Sequence, residues 1–453
     1  MRIGIIGLAR SGRSAARLAR ARGHDVFASD AGSSAEVQNA AAEVRALGGT
    51  AETGGHTVTE LAACDLLVLS PGVPPTASIL SNPAVSGVQR ISELEFAFRE
   101  LSAPVLAITG TNGKSTTTAM TAHLLVTSGF DAPAAGNIGT ALSDVALRPE
   151  QPDWVVVEAS SFQLADIDTF APRIGVLTNL SPDHLDRYPS VDAYYADKAR
   201  LFTNATRTSI WVLNAEDAAA IALPGEAVGS RRVFRVNTLL DSSEEGGWID
   251  TDGHLCIRIA RTETRLLHQT ELRVLGEHNR ANALAAAVAA VSAGATAEAV
   301  AEGLRTFGGL EHRLEVVADA DDVLWVNDSK ATNIGSTAVA LRSMDRPVVL
   351  LLGGRHKGEP YTKLLDSMHG RVKHVIAYGD AAAVVEQDLA AHMPVERVDG
   401  PFEDVVARAA ALARPGDAVL LSPACASFDM FRDYEQRGHA FKELVQRLAG
   451  AAS

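Results

Sequence analysis

The octapeptide Thr109-Gly110-Thr111-Asn112-Gly113-Lys114-Ser115-Thr116 carries the densest chemistry in the chain. Its glycines let backbone N–H groups converge on phosphate oxygens, Lys114 supplies a positive charge, and a hydroxyl can reach a magnesium ion. Val105 to Thr109 reads as a strand and the stretch to Ser128 as a helix, so the loop also gains the helix dipole. This order predicts a nucleotide triphosphate site. The general P-loop pattern asks for a glycine five residues before the last one, where Ile108 stands, so the loop is a variant.

Other candidates follow strands in the same way. Glu158 closes the run WVVVE and opens EASSFQL. A carboxylate at the carboxyl end of a parallel strand can hold a hard divalent cation, although many strands simply finish with a solvated acid. The next strand leads through Asn179 into SPDHLDRYP, where His184 stands between Asp183 and Asp186 and reads as a metal or substrate contact. Lys198, in AYYADKARLF, reads from spacing alone as an exposed helix residue. Asn279, in GEHNRAN before an alanine-rich stretch, is of the type that caps helices.

The elements that must position these residues are short β-branched runs: Arg2 to Ile6, Leu66 to Leu69, Val105 to Thr109, Trp154 to Val157, Ile174 to Thr178, Ile210 to Leu213, Val348 to Leu352, Val375 to Tyr378 and Ala418 to Leu421. Helical stretches separate many of them. Continuous apolar strands alternating with helices predict an α/β fold with parallel sheets covered on both faces. At 453 residues about three domains are expected. The expected divisions are 1–102, 103–309 and 310–453, with boundaries near Leu101 to Pro104 and Phe307 to Gly309. Asp241 to Gly253 is acidic and turn-rich, and predicts a surface excursion ending in a hairpin.

Composition excludes several classes. The hydrophobic share of 47% and charged share of 21% are those of a folded globular chain. A net charge of -14 without a basic patch argues against a nucleic-acid partner. Cys64, Cys256 and Cys425 are odd in number and far apart, which predicts neither disulfides nor a metal cluster and fits a reducing cytoplasm. The apolar start MRIGIIG is too short for a signal or a spanning helix, and no other run is long enough, so no membrane insertion is expected.

TGTNGKST, EASSFQL, NLSPDHLDRYPS, the following Lys198 and GEHNRAN together resemble the Mur ligase family across the chain. The resemblance implies a Rossmann-like N-terminal domain for a uridine nucleotide, a central P-loop ATPase-type domain and a Rossmann-like C-terminal domain for an amino acid. It implies ATP bound by Gly110 to Thr116, Asn282, Arg313 and Asp328, with Lys114, Glu158, His184 and Lys198 as catalytic residues. Magnesium would be held by Ser115, Glu158, His184 and Lys198, the lysine as a carbamate, which replaces an ammonium by an oxygen donor. A UDP-linked substrate would contact Ser11, Asp30, Ser70, Pro71, Gly72, Asn137 and His184.

Within the family the third domain carries no DNPR-type segment. Lys330 and Thr332 in NDSKATN, Lys357 in GGRHKG, Ser427 and Phe428 in SPACASFDMF, and Tyr434 resemble instead the pattern for D-glutamate. Two lysines and hydroxyl donors suit a dicarboxylate. The implied reaction is amide-bond formation between UDP-N-acetylmuramoyl-L-alanine and D-glutamate through an acyl phosphate, by a monomer. Three details depart from the family pattern: Ala9 stands where a glycine is frequent, Tyr434 where a phenylalanine is common, and His356 precedes Lys357. The turn GLARSG also lacks the GxGxxG of a dinucleotide site, which disfavours NAD. A folylpolyglutamate synthetase would lack the N-terminal uridine domain, and a nucleotide-dependent switch would not explain SPDHLDRYP, NDSKATN and SPACASFDMF together.

Overall fold

The β-branched runs become strands in the computed structural model, which describes residues 1–185 and 187–451 and assembles three sheets. Asp186 of the SPDHLDRYP motif lies outside the described residues. The first sheet is wholly parallel, in the order Thr50–Thr53, Asp25–Asp30, Arg2–Ile6, Leu66–Leu69, Arg90–Ser92. The second has nine strands, and its parallel centre runs Ile210–Asn214, Ile174–Leu177, Val105–Thr109, Val155–Glu158, Ala134–Gly136. The third runs Glu315–Ala320, Val323–Asn327, Ala418–Leu421, Val348–Gly353, Val372–Tyr378, Val395–Val398, antiparallel only at its first pair. The α/β class expected from the apolar runs is the one observed.

The chain divides into two compact units: Met1–Gln269 with Arg280–Leu304, and Thr270–Asn279 with Arg305–Ser453. The first unit contains both the five-stranded and the nine-stranded sheet. Two buried glutamates on the short helix Glu93–Phe98 join them. Glu93 Oε1 accepts from the Ser143 N–H (2.8 Å) and hydroxyl (2.6 Å), while Oε2 is buried without a partner. Burial raises the Glu93 pKa despite those donors. Glu95 accepts from the N–H groups of Asp168, Thr169 and Phe170, from the Thr169 hydroxyl and from Arg99. Burial opposes its charge, but those donors hold its pKa below the ordinary value.

The acidic segment differs from its expectation. A hairpin is present, formed by Gly246–Ile249, His254–Ile259 and a further strand Thr262–His268, but it extends the nine-stranded sheet. Trp248 is buried with Val233, Leu240 and Cys256, and that apolar contact draws the segment inward. Among the described residues no helix is long and apolar enough to cross a membrane.

Topology decides where chemistry can sit. In each sheet, the loops with candidate residues leave the carboxyl ends of neighbouring strands. In open α/β sheets that is the edge where ligands bind.

Candidate active site

The phosphate loop leaves the fully buried strand Val105–Thr109 and ends at the helix Lys114–Thr127. Gly110 (φ 146°) and Gly113 (φ 80°) need positive φ, and a Cβ at either would collide with Thr178 Oγ1 or Asn282 Oδ1. The loop is clamped from the next strand. Thr178 Oγ1 donates to the Asn112 carbonyl (2.6 Å), the Asn112 N–H donates to Asn179 Oδ1 (2.9 Å), and the Thr111 N–H donates to the Asn179 carbonyl (2.9 Å). Thr178 was missed from sequence. Its signal is a short hydroxyl residue at the end of the strand beside the phosphate loop.

Two amines meet at one carbonyl. Lys114 Nζ donates to the carbonyls of Gly110 (3.0 Å) and Thr111 (2.8 Å), and Lys198 Nζ donates to that same Gly110 carbonyl (2.7 Å). The exposed position read from spacing for Lys198 is wrong, because only 1% of the residue is accessible. The helix Val191–Ala199 packs against Ser161–Ala165, a tertiary contact that its mixed polarity does not announce. Burial, and then the Lys114 charge, lowers the Lys198 pKa to about 7. The pair repels itself until an anion arrives or one charge is removed.

Glu158 ends its strand with 1% exposure. Its Oε1 accepts from Asn137 Nδ2 (2.7 Å), and its Oε2 is buried without a partner. An orphaned carboxylate oxygen at a phosphate site suits a hard cation, which takes oxygen ligands. Ser115 in the first turn of the loop helix and a carbamate on Lys198 would add further oxygen donors. Asn137, expected at the UDP-linked substrate, lies on Glu158.

His184 adopts a left-handed backbone (φ 54°), rare outside glycine and frequent at functional sites. Its ring lies 5.1 Å from Phe162 and 5.9 Å from Tyr194, whose hydroxyl donates to Thr111 Oγ1 (3.4 Å). Tyr194 thus links the histidine to the phosphate loop, a role sequence did not supply. Asn282 accepts from Thr117 Oγ1 (3.2 Å) and packs on Gly113, at the loop as expected. The helix begins at Glu277, so Asn279 lies inside its first turn, and its side-chain amide donates to the carbonyl of Leu275 just before the helix (2.7 Å).

At the first sheet, Asp30 accepts from the Leu8 N–H (2.6 Å) and the Gly32 N–H (2.7 Å), and the Ser70 hydroxyl donates to the Gly7 carbonyl (2.7 Å). Ser11 lies in the first turn of the adjacent helix Arg10–Ala21. Ser70 and Pro71 line a cleft that Phe162, Gln163 and Tyr188 also line, with exposed Gly72 following them. Of the UDP-substrate candidates, Ser70 and Pro71 therefore face residues of the EASSFQL and SPDHLDRYP segments within one unit.

In the second unit, Lys330 and Thr332 follow Val323–Asn327, Lys357 follows Val348–Gly353, and Ser427 and Phe428 follow Ala418–Leu421, three adjacent strands. Lys357 Nζ donates to Thr332 Oγ1 (3.3 Å), and the Lys330 ammonium lies 5.4 Å from the Tyr434 ring centroid. Ser427 is buried and Phe428 is 62% exposed. Asp328 is buried, accepting from the Leu314 N–H (3.2 Å) and Ser422 hydroxyl (2.8 Å), and burial raises its pKa to about 7. Arg313 is exposed and favours the charged form of Asp328.

Fold and grouping define the class, an α/β enzyme built around a nucleotide triphosphate loop. Comparison with known proteins narrows it. The Mur ligase middle domain matches residues 108–290, and the Mur ligase glutamate ligase domain matches residues 312–425. The UDP-N-acetylmuramoylalanine--D-glutamate ligase of Salinibacter ruber is 42% identical over 98% of this chain and 97% of its own. The protein of that name from Anaeromyxobacter dehalogenans is 43% identical over 99% and 98%. A solved UDP-N-acetylmuramate-alanine ligase from Thermotoga maritima shares the fold, with a TM-score of 0.59 at 20% identity over 99% of this chain and 100% of that one. The chain belongs to the Mur ligase family, ATP-dependent ligases of peptidoglycan precursor synthesis.

Proposed function

We propose that this enzyme joins D-glutamate to UDP-N-acetylmuramoyl-L-alanine, converting ATP to ADP and phosphate, as a monomer in the cytoplasm. The observation that carries this reading is the 42% identity to a D-glutamate ligase over 98% of this chain and 97% of the relative. The pairing of Lys357 with Thr332 beside Lys330 and Ser427 supports a dicarboxylate substrate.

The alanine carboxylate attacks the γ-phosphorus of ATP, the bond to the ADP oxygen breaks, and an acyl phosphate forms. Gly110 to Thr116 and Asn282 hold the nucleotide, and Lys114 turns from the loop carbonyls to the transferring phosphoryl oxygens. Ser115, Glu158, His184 and Lys198 as its carbamate would hold a magnesium ion, which neutralises phosphate charge when bound. The carbamate forms when the neutral Lys198 amine attacks carbon dioxide and loses a proton. Burial that keeps part of the amine neutral near pH 7 favours that step. Ser11, Asp30, Ser70, Pro71, Gly72, Asn137 and His184 hold the UDP-linked acid. The glutamate amine then attacks the acyl carbon, phosphate leaves, and the amide remains.

The test incubates purified enzyme with Mg-ATP, UDP-N-acetylmuramoyl-L-alanine and either D- or L-glutamate, reading phosphate release and product mass. Phosphate release that requires both substrates, with the D-isomer preferred, is expected. Release independent of either substrate refutes the ligase reading, and equal use of L-glutamate refutes the stereochemistry.

A further inference from the structure

Among the described residues, two clusters of ligand-type side chains each already hold a cation of the chain itself. Arg265 sits on Asp250 (2.7 Å) and Asp252 (3.3 Å) beside His254, and Lys442 sits on Glu311 (3.0 Å) beside His312 and His439. A different feature points to a ligand. Beside Lys357 lies a small open pocket lined by Asn333, Ile334, His356, Glu359, Tyr361 and Ala424.

His356 is tied into this wall by a short chain of polar groups. Its Nδ1 lies 3.3 Å from the Tyr361 hydroxyl, which lies 2.7 Å from Cys425 Sγ, and the two rings lean together with centroids 5.4 Å apart. Tyr361 and Cys425 are both buried, which keeps phenol and thiol protonated. Of the acceptors in this chain, the imidazole nitrogen is much better than a thiol sulfur. The phenol proton therefore goes to Nδ1, the thiol proton to the phenol oxygen, and the ring's own proton to Nε2. Nδ1 being engaged, Nε2–H is the group left for a ligand. Glu359, the one acid among the lining residues, is paired with Lys363 (3.0 Å), so it does not repel an anion from the cavity.

We propose that His356 is a specificity-determining residue that donates from Nε2 to one carboxylate of the incoming amino dicarboxylic acid, next to the Lys357 ammonium. This rests on the functional reading above and adds a third donor to the lysines and hydroxyls. With Tyr361 on Nδ1, Nε2 is the nitrogen of His356 that donates.

Steady-state kinetics with varied D-glutamate, at saturating ATP and UDP-linked substrate, test it in the full-length enzyme. His356→Ala is expected to raise KM for glutamate by about tenfold, the loss of one hydrogen bond to a charged group, with kcat and KM for ATP within about twofold. His356→Gln, which keeps an N–H donor, should recover most of the loss. Tyr361→Phe, which frees the tautomer, should raise KM by about threefold. Thermal unfolding of each variant separates these effects from misfolding. An unchanged glutamate KM in a folded His356→Ala enzyme overturns the inference, as does an equal loss in KM for ATP. A wild-type enzyme that turns over with no amino dicarboxylate overturns the functional reading and this inference with it.

Discussion

The edge of the nine-stranded sheet and the edge of the third sheet both gather charged side chains from neighbouring strands, but they hold them differently. At the phosphate loop Lys198 and Glu158 are each 1% exposed, and the loop backbone is clamped by Thr178 and Asn179. At the third sheet Lys330, Lys357 and Phe428 are exposed, and Lys357 is held by one hydroxyl. Phosphoryl transfer gains most from groups fixed before the reaction starts, whereas choosing an amino acid needs only enough donors of the right charge. The buried edge should therefore govern turnover, and the exposed edge affinity for the amino acid.

Three changes break or sharpen that contrast. Lys114→Ala should lower kcat by about 10³-fold with every amino acid tried, because the loop loses its charge on the transferring group; coupled phosphate release measures this. Lys198→Ala should lose about 10²-fold and recover part of it with added short-chain carboxylates, measured as rate against carboxylate concentration. Undiminished activity there removes the carbamate from the mechanism. Lys357→Ala should leave kcat within about threefold and raise KM for glutamate by about tenfold, the signature of lost ground-state binding. A comparable loss of kcat would erase the distinction between the two edges.

The smallest effect is on stability. The Asp328 pKa is raised from 3.8 to about 7 in the fold, so the folded chain binds the extra proton between those values. The contribution is fully present below about pH 4 and is lost as pH rises through about 7. Melting temperature followed from pH 4 to 7 should fall less in Asp328→Asn than in the wild type, and identical slopes would assign the dependence to other groups.

Much of the architecture was legible because apolar strands announce themselves. Val105 to Thr109 and Ala418 to Leu421 are strands at the residues read from sequence, and the phosphate loop lies between strand and helix as its glycines require. Lys198 was illegible from spacing: DAYYADKARL has no apolar stripe, and what buries it is tertiary, the packing of its helix on Ser161–Ala165 and the reach of its amine to the Gly110 carbonyl. The link from Asn137 to Glu158 joins residues 21 apart through neighbouring strands, a closeness set by strand order. Trp248 likewise turned part of an acidic surface segment into a strand inside the nine-stranded sheet, a single aromatic outweighing its polar neighbours.

The carboxylates of Glu93 and Glu95 have a consequence for engineering. A chimera that exchanges the first sheet for that of a relative accepting another nucleotide-linked acid inherits a joint with carboxylate acceptors on one side and their donors on the other. Ser143 and the backbone run 168–170 must travel with the glutamates, or an acid is left in the interior without its donors. The natural cut for such an exchange therefore follows the buried carboxylates rather than the chain connection at Leu101 to Pro104.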